Sequence, residues 1–195
     1  MRNVISFLLL INALLLNGQA LENVTGINVG DTIPSLNGIA IDSSSFDFQK
    51  NLENGPLIVV FYRGQWCPYC NRHLSHMQDS IHLIEDKGAQ VIAVSPERLK
   101  YLSKSAEKSG AKFTLIYDEG YKIADAFNVL FQPSEQRAQM YNRYGADLKN
   151  AHSDDTQRLP VPATFVISKE GVVLWKHFEG DYKKRSSIKE ILKYL

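Results

Sequence analysis

The sequence predicts an α/β fold in which a central mixed sheet is flanked by helices. Two apolar runs, residues 57–62 and 90–94, are separated by a pattern of helical period, which indicates parallel strands joined by a helix. Farther along, the apolar runs 163–168 and 172–177 flank Lys169-Glu170-Gly171, which is typical of a β-hairpin. A sheet with both kinds of connection is mixed, and we expect helices on both of its faces.

The first twenty residues are predicted to be a signal peptide. A short basic start containing Arg2 precedes the apolar residues 4–16, and Gly18 and Ala20 place small residues before a cleavage site. A membrane anchor is the alternative, but a span needs roughly 20 apolar residues and this run is shorter. We therefore expect cleavage after Ala20 and an exported protein, periplasmic in a bacterium and otherwise secreted, with no membrane attachment after cleavage.

Residues 21–195 are long enough for one domain with a substantial core. The formal charge of the whole chain is +1, and removal of the twenty leading residues takes away only the charge of Arg2. A mature chain that is nearly neutral gives no indication of a nucleic-acid partner or of an anionic membrane surface.

The elements can be placed in order from local patterns. Turn residues flank residues 39–41, which predicts a β-hairpin extension before the main sheet. Apolar residues at helical spacing then predict a helix over 68–86: Leu74, Met77, Ile81 and Ile84. After the strand 90–94, Ser95-Pro96 is expected to cap a helix that ends at Gly110.

The second half of the chain alternates in the same way. We predict a strand over 113–117, a helix over 121–131 and a polar, partly helical insertion over 132–158. After the hairpin, Ser187 followed three residues later by Glu190 forms a capping-box pattern for a C-terminal helix over 188–195.

The only two cysteines, Cys67 and Cys70, lie between the strand 57–62 and the helix that follows it. This places both sulfur atoms at a helix N-terminus, where unpaired N–H groups and the helix dipole favour an anion. Pro68 suits the first helical turn because its missing N–H would have no partner there. The pair is therefore predicted to be a redox dithiol that needs no cofactor. Cys67 would be the accessible nucleophile and Cys70 the buried thiol that resolves the mixed disulfide.

Two further side chains are candidates to support the dithiol. Arg63 lies four residues before Cys67, where it either stabilises the thiolate or orients a peroxide; the alternative is a solvated arginine at a strand end. Trp66 is expected to shield one side of the site and to contact the substrate.

A strand that ends in Trp-Cys-x-x-Cys, followed much later by Val161-Pro162-Ala163-Thr164-Phe165, resembles the thioredoxin fold. That resemblance implies that Pro162 is a cis-proline whose backbone docks the partner's chain. A cis bond occurs at only about 5–6% of X–Pro bonds in folded proteins, so this expectation depends on the resemblance alone.

Over roughly residues 30–195 the chain is more similar still to the peroxiredoxin superfamily, in its alkyl hydroperoxide reductase/thiol-specific antioxidant (AhpC/TSA) branch. The matching segments are Gly30-Asp31-x-x-Pro34, the run from Gly55 to Tyr62, 91–96, Asp118 with 124–127, and 162–167 leading into Gly171. The resemblance implies an antioxidant oxidoreductase.

The active-site pattern of peroxiredoxins, Pro-x-x-x-Thr-x-x-Cys with a distant arginine, is only partly present. Aligned on this chain, the peroxidatic cysteine falls on Cys70, while the proline, threonine and distant arginine fall on Arg63, Cys67 and Pro162. Because three of four positions differ, the site favours thiol–disulfide exchange. A thioredoxin-dependent peroxidase that reduces hydrogen peroxide or alkyl hydroperoxides remains the alternative.

The expected partners follow from this chemistry. They are a disulfide or peroxide substrate and an electron donor, either a thioredoxin-like protein or a membrane thiol transporter. A remote alternative is a copper chaperone that uses both cysteines with a distant histidine, for which His152 is the candidate. Four ligands at Cys67, Cys70, His73 and His76 would spread around one helix and cannot converge on one ion.

Overall fold

A computed structural model describes residues 23–195 of the chain. The predicted signal peptide, residues 1–20, lies outside the described residues. Within residues 23–195, no helix has the length and apolar character required to cross a membrane.

The strands of the described residues are β1 (Asn37–Ala40), β2 (Ser45–Asp47), β3 (Leu57–Phe61), β4 (Gln90–Ser95), β5 (Thr114–Tyr117), β6 (Leu130–Phe131), β7 (Leu159–Pro160), β8 (Ala163–Ile167) and β9 (Val173–Phe178). Seven of them form one mixed sheet, in the order β2-β1-β5-β4-β3-β8-β9. The strands β3, β4 and β5 are parallel, while β8 runs antiparallel to β3 and β9 antiparallel to β8. The predicted mixed α/β sheet and its C-terminal hairpin are confirmed.

The N-terminal hairpin is confirmed as well, and it extends the main sheet. The strands β1 and β2 pair antiparallel, and β1 also pairs antiparallel with β5. Close packing fixes Gly38 in β1, because a Cβ atom there would lie 2.3 Å from Cγ2 of Ile116.

The central strand β3 separates two apolar cores. Leu57, Val59 and Phe61 face one core, while Ile58 and Val60 face the other. This alternation is what a strand covered on both faces requires, and it explains the uninterrupted apolar run in the sequence.

Short and medium helices cover the sheet. They are α1 (Phe48–Leu52), α2 (Pro68–Asp79), α3 (Ile81–Glu85), α4 (Leu99–Ser109), α5 (Lys122–Ala126), α6 (Glu135–Arg143), α7 (Leu148–Ala151) and α8 (Ile188–Ile191). The predicted capping box at Ser187 and Glu190 is present at the start of α8. The predicted helix 188–195 continues beyond α8 only as a 3-10 turn, Leu192–Tyr194.

The helix predicted over 68–86 is divided in two. Ser80 adopts φ −113° and ψ 12°, which are not helical values, and α3 begins directly after it. The predicted apolar residues still share one core despite this break, since Leu74 and Met77 of α2 pack there together with Ile84 of α3.

The prediction that Ser95-Pro96 starts a helix is wrong by several residues. Ser95 is the last residue of β4, where it pairs with Tyr117 of β5, so the strand takes the residue that would have capped the helix. The helix α4 begins at Leu99 and ends as predicted at Gly110, which has φ 70°. The loop between them carries Glu97 into the interior.

The helix predicted over 121–131 is also too long. It ends at Ala126, and Leu130–Phe131 instead form a short strand, β6, that pairs antiparallel with β7 (Leu159–Pro160). Backbone hydrogen bonds to a distant segment therefore override the local helical pattern. The insertion between β6 and β7 is partly helical, as predicted, and contains α6 and α7.

Candidate active site

Cys67 and Cys70 lie at the start of α2, directly beyond the end of β3. Cys67 is the N-cap residue, with an extended backbone, and Pro68 occupies the first helical turn. The two sulfur atoms are bonded to each other, with the Cα atoms 5.2 Å apart. The N–H of Cys70 donates to Sγ of Cys67 at 3.3 Å. A negative charge on Cys67 would therefore face a backbone donor and the positive end of the helix dipole.

Both cysteines are buried, with exposed fractions of 0% for Cys67 and 1% for Cys70. The expectation of a buried Cys70 is confirmed, but the expectation that Cys67 is accessible is wrong in this structure. The sequence places Cys67 at the tip of a loop, but tertiary packing lays the side chain of Arg63 against its sulfur. A substrate can reach the disulfide only if part of this cover moves.

Arg63 is the nearest cation to Cys67. Its Nη2 atom donates to Sγ of Cys67 at 3.3 Å, and the residue is only 4% exposed. The guanidinium carbon also lies 4.1 Å from the centre of the Tyr182 ring and 4.9 Å from that of Trp66. The alternative of a solvated arginine at a strand end is therefore wrong. Burial lowers the pKa of Arg63, while the nearby tyrosines oppose that change.

We expect the substitution Arg63→Gln to slow alkylation of Cys67 by iodoacetamide at pH 7 by about ten- to a hundredfold, because a hydrogen bond to a charged group contributes about 1.5–3 kcal/mol. The measurement is mass spectrometry of the reduced protein after timed alkylation. Arg63→Lys is the matched control, because it keeps the positive charge and should retain most of the reactivity. Equal rates in all three proteins would show that Arg63 does not stabilise the thiolate.

A second arginine, Arg185, lies beside the other sulfur atom and was not found from the sequence. Its Nη2 atom is 3.7 Å from Sγ of Cys70. Desolvation, followed by the positive charge of Arg63, lowers the pKa of Arg185 to about 10. No spacing rule links residues that are 115 positions apart, so only the fold reveals this contact.

Aromatic side chains surround the cation on the Cys67 side. The Trp66 ring packs on that of Tyr141 from α6, with centroids 4.9 Å apart, and Tyr182 contacts both Arg63 and Tyr69. These rings line a cleft of about 480 Å³ beside the disulfide, the aromatic cleft. Trp66 thus lies against Arg63 at the edge of this cleft. Its expected roles, as a shield of the site and as a contact for the substrate, stay predictions.

Part of this cleft comes from the insertion. Tyr141 is buried, whereas Met140 and Tyr144 are 43% and 72% exposed at the rim. Apolar side chains this exposed beside a reactive group are typical of a binding surface. The sequence presented the insertion as a polar segment with no evident connection to the dithiol.

Beneath the active-site loop lies a buried carboxyl group, that of Glu97. It is 0% exposed, and its Oε2 atom accepts from the N–H of Gln65 at 2.8 Å, while Oε1 has no hydrogen-bond partner within residues 23–195. Burial raises the pKa of Glu97 to about 8, although the Gln65 N–H and the charges of Lys108 and Lys104 oppose this. No local pattern in the sequence marks Glu97 as part of the site.

Gly64 is what allows the loop to lie so close to Glu97. Its φ is +146°, and a Cβ atom there would lie 2.3 Å from Oε1 of Glu97 and 2.8 Å from Nε1 of Trp66. A side chain at this position would therefore displace either the buried carboxyl group or the Trp66 indole.

Pro162 lies next to the site but without the expected geometry. The strand β8 begins at Ala163, which pairs with Phe61 at the end of β3, so Pro162 is at the sheet edge from which the cysteines emerge. Residues 23–195 contain no cis peptide bond, so the expectation of a cis bond before Pro162 is wrong for this structure. The trans form is the intrinsically preferred one for X–Pro bonds. A role for Pro162 in docking a partner stays a prediction.

The histidines do not join the cysteines. His152 is fully buried, and its Nδ1 atom is 3.2 Å from the hydroxyl of Tyr121, while Nε2 of His73 is 3.1 Å from the hydroxyl of Ser186. Across residues 23–195, no group of three or more His, Cys, Asp or Glu side chains is placed to hold a metal ion. The geometry therefore gives no support to the copper alternative.

Comparison with known proteins matches the chain to a protein family. The sequence model described as "AhpC/TSA family" matches residues 29–176. The chain is similar to the chloroplastic peroxiredoxin Q of Populus jackii, with 27% identity over 87% of this chain and 68% of the relative. It is also similar to the thiol-disulfide oxidoreductase ResA of Geobacillus kaustophilus, with 24% identity over 54% of this chain. The match spans 60% of the length of ResA.

Solved structures show the same fold. The peroxidoxin BcpB of Mycobacterium tuberculosis superposes with a TM-score of 0.67 at 18% identity, covering 86% of this chain and 96% of that one. A PrxQ mutant of Xylella fastidiosa gives a TM-score of 0.65 at 17% identity, covering 87% and 95%. At such identities the likeness establishes the fold alone.

Proposed function

Because the chain belongs to the AhpC/TSA family, we propose that it is a thiol-based oxidoreductase whose preferred reaction is thiol–disulfide exchange through Cys67 and Cys70. The family makes the protein an enzyme of thiol redox chemistry. The choice between its reactions depends on the active site.

One observation carries the chemistry of the Cys67–Cys70 pair, while the residues that replace three positions of the peroxiredoxin pattern, Arg63, Cys67 and Pro162, favour exchange over peroxide reduction. Cys67 and Cys70 are bonded across the first turn of α2 while that helix keeps its regular course to Asp79. The oxidised form therefore fits the folded helix without any unwinding. Such a pair can alternate between dithiol and disulfide in place, which is what repeated exchange requires.

The proposed reaction has two displacement steps. The Cys67 thiolate attacks one sulfur of a substrate disulfide, forms a mixed disulfide and releases the other substrate sulfur as a thiolate. The Cys70 thiol, after losing its proton to solvent, then attacks Sγ of Cys67 and releases the second substrate thiolate. The substrate gains two electrons, and the enzyme is left with the Cys67–Cys70 disulfide.

Arg63 and the aromatic cleft support this sequence of steps. The guanidinium at 3.3 Å from Sγ of Cys67 stabilises the attacking thiolate. The cleft formed by Trp66, Tyr141 and Tyr144 offers the substrate an apolar surface next to Cys67. A protein or peptide disulfide with an apolar segment beside its cysteine fits such a surface.

A peroxidase is the second candidate, and Arg185 favours it. The peroxide-binding arginine expected by resemblance falls on Pro162, but Arg185 brings a guanidinium within 3.7 Å of Sγ of Cys70, the cysteine that aligns with the peroxidatic one. In that reaction the Cys70 thiolate attacks one peroxide oxygen and becomes a sulfenic acid, while the O–O bond breaks and the other oxygen takes up a proton and leaves as water or an alcohol. Cys67 then displaces hydroxide, which leaves as water, to form the disulfide.

The decisive experiment is a stopped-flow comparison of two oxidants on the reduced protein, followed by tryptophan fluorescence. One oxidant is hydrogen peroxide and the other is a peptide disulfide with an apolar flanking sequence. We expect oxidation by the disulfide to be rapid and to be lost in Cys67→Ser, with peroxide oxidation no faster than that of a free thiol. Rapid peroxide oxidation that is lost in Cys70→Ser would overturn this proposal in favour of the peroxidase.

The proposal extends to the place of action and the electron donor. The leader-like sequence of residues 1–20 supports export, periplasmic in a bacterium and otherwise secreted. An exported dithiol needs a source of electrons, for which a thioredoxin-like protein or a membrane thiol transporter is the expected class. Fractionation of cells that express the full chain, with sequencing of the mature N-terminus, tests the export.

A further inference from the structure

A second cleft, the basic cleft, lies on the Cys70 side of the disulfide. It has a volume of about 430 Å³ and runs between α2 and the segment that precedes α8. Tyr69 borders both this cleft and the aromatic cleft. The disulfide therefore has two different surfaces near it, one on each side of Tyr69.

The permanently charged side chains that line the basic cleft are all cations. Its lining includes Arg72, Lys183 and Arg185 but no Asp or Glu. Within residues 23–195, none of these three cations forms an ion pair, because the two pairs present involve other residues. The carboxylate that influences Arg185 is that of Asp181, which does not line the cleft.

Two histidines also line the cleft, but the permanent charge comes from the three cations. Burial lowers the pKa of His73 to about 4, and the charge of Arg185 acts in the same direction, so His73 is neutral near pH 7. Its Nε2 atom lies 3.1 Å from the Ser186 hydroxyl, which holds the ring in place. His73 therefore adds no charge near pH 7, and an anionic ligand in the cleft would face the permanent positive charges of the three cations.

The basic cleft is connected to the redox centre through Arg185. This residue lines the cleft, and its Nη2 atom is also 3.7 Å from Sγ of Cys70. A ligand whose anionic group is held by Arg72 and Lys183 would thus place the rest of the molecule toward Cys70. Both sulfur atoms are nearly inaccessible, which favours a small reactant on this side.

We propose that the basic cleft binds the carboxylates of a small anionic thiol, which reduces the Cys67–Cys70 disulfide by attack on Sγ of Cys70. The inference rests on the proposed thiol–disulfide chemistry and names a class of electron donor for it. It differs from the protein donor expected from the sequence.

Reduction of the Cys67–Cys70 disulfide consumes two molecules of the small thiol. The first thiolate attacks Sγ of Cys70, the Cys67–Cys70 bond breaks, and Cys67 leaves as a thiolate. Arg63 at 3.3 Å and the N–H of Cys70 stabilise that leaving group. The second thiolate attacks the sulfur of the bound thiol, and the products are the small-molecule disulfide and, after protonation by solvent, the reduced Cys67 and Cys70.

The test compares an anionic with a neutral thiol on the oxidised full-length protein. Mercaptosuccinate carries two carboxylates and 2-mercaptoethanol carries none, and stopped-flow fluorescence gives the rate constant of reduction for each. The variant is the double substitution Arg72→Gln and Lys183→Gln. The control is Lys189→Gln with Lys193→Gln, which removes the same charge from exposed residues of the C-terminal helical segment outside the cleft.

We expect the ratio of the rate constant for the anionic thiol to that for the neutral thiol to fall about fivefold in the Arg72/Lys183 variant. Two exposed charge pairs would produce an effect of this size. The ratio should stay unchanged in the control and should fall in wild type as salt is added. An equal ratio in all three proteins would overturn the inference alone. Failure of both thiols to reduce the wild-type disulfide would overturn it together with the proposed exchange.

Discussion

The substitution Cys67→Ser should lower the rate of disulfide exchange by about three orders of magnitude or more, because a hydroxyl neither ionises at neutral pH nor forms a disulfide. Cys70→Ser should behave differently. It keeps the nucleophile beside Arg63 but loses the thiol that resolves the mixed disulfide. We therefore expect this variant to react once and then to accumulate an adduct of enzyme and substrate.

Mass spectrometry after mixing each reduced variant with a peptide disulfide measures this difference directly. The adduct should map to Cys67 in the Cys70→Ser protein, and the Cys67→Ser protein should form little adduct. The opposite result, with an adduct on Cys70 in Cys67→Ser, would reverse the two roles. It would also agree with the alignment that places the peroxidatic cysteine on Cys70.

The second large effect is expected at Glu97, whose carboxyl group is fully buried beneath the active-site loop. The pKa of Glu97 is about 8 in the folded protein, against an ordinary value of 4.5. Between these two pH values the carboxyl group therefore keeps its proton in the folded form but has lost it in the unfolded form. Raising the pH through this window favours the unfolded state. The free energy of unfolding should thus fall by about 1.4 kcal/mol per pH unit on account of this one group.

Glu97→Gln removes this dependence while keeping an oxygen that can accept from the N–H of Gln65. Relative to wild type, the variant should gain about 1.4 kcal/mol of unfolding free energy for each pH unit between about pH 5 and pH 8. Urea unfolding at three pH values in this range measures the difference. His73 and His152, whose pKa values are lowered to about 4, titrate in both proteins and cancel.

Glu107→Gln is the matched control for this experiment, because Glu107 lies exposed on α4. It measures what the exchange of a surface carboxyl group for an amide does to the unfolding free energy at the same three pH values. A difference between Glu97→Gln and wild type that stays constant from pH 5 to pH 8 would show that Glu97 is ionised in the folded protein. The Gln65 N–H and the charges of Lys108 and Lys104 would then outweigh the desolvation of the carboxylate.

Local patterns predicted most of the fold because hydrophobic period and turn residues act over short distances. The apolar run that became β3, the hairpin of β8 and β9 and the capping box at Ser187 all depend on neighbours within a few residues. The errors occurred where a distant segment competed. Leu130–Phe131 left the predicted helix to pair with β7, and Ser95 stayed in β4 because it pairs with β5.

The same contrast between local patterns and distant contacts holds for the active site. Local sequence was enough to predict the dithiol, its position at a helix N-terminus, and Arg63 and Trp66 close to it, because four or fewer residues separate each of these from Cys67. Packing of distant segments was needed to cover Cys67, to bring Arg185 to Cys70, and to place Tyr141 and Glu97 around the active-site loop. The difference lies in distance along the chain, because no periodicity or spacing rule relates residues that meet only when separate elements pack.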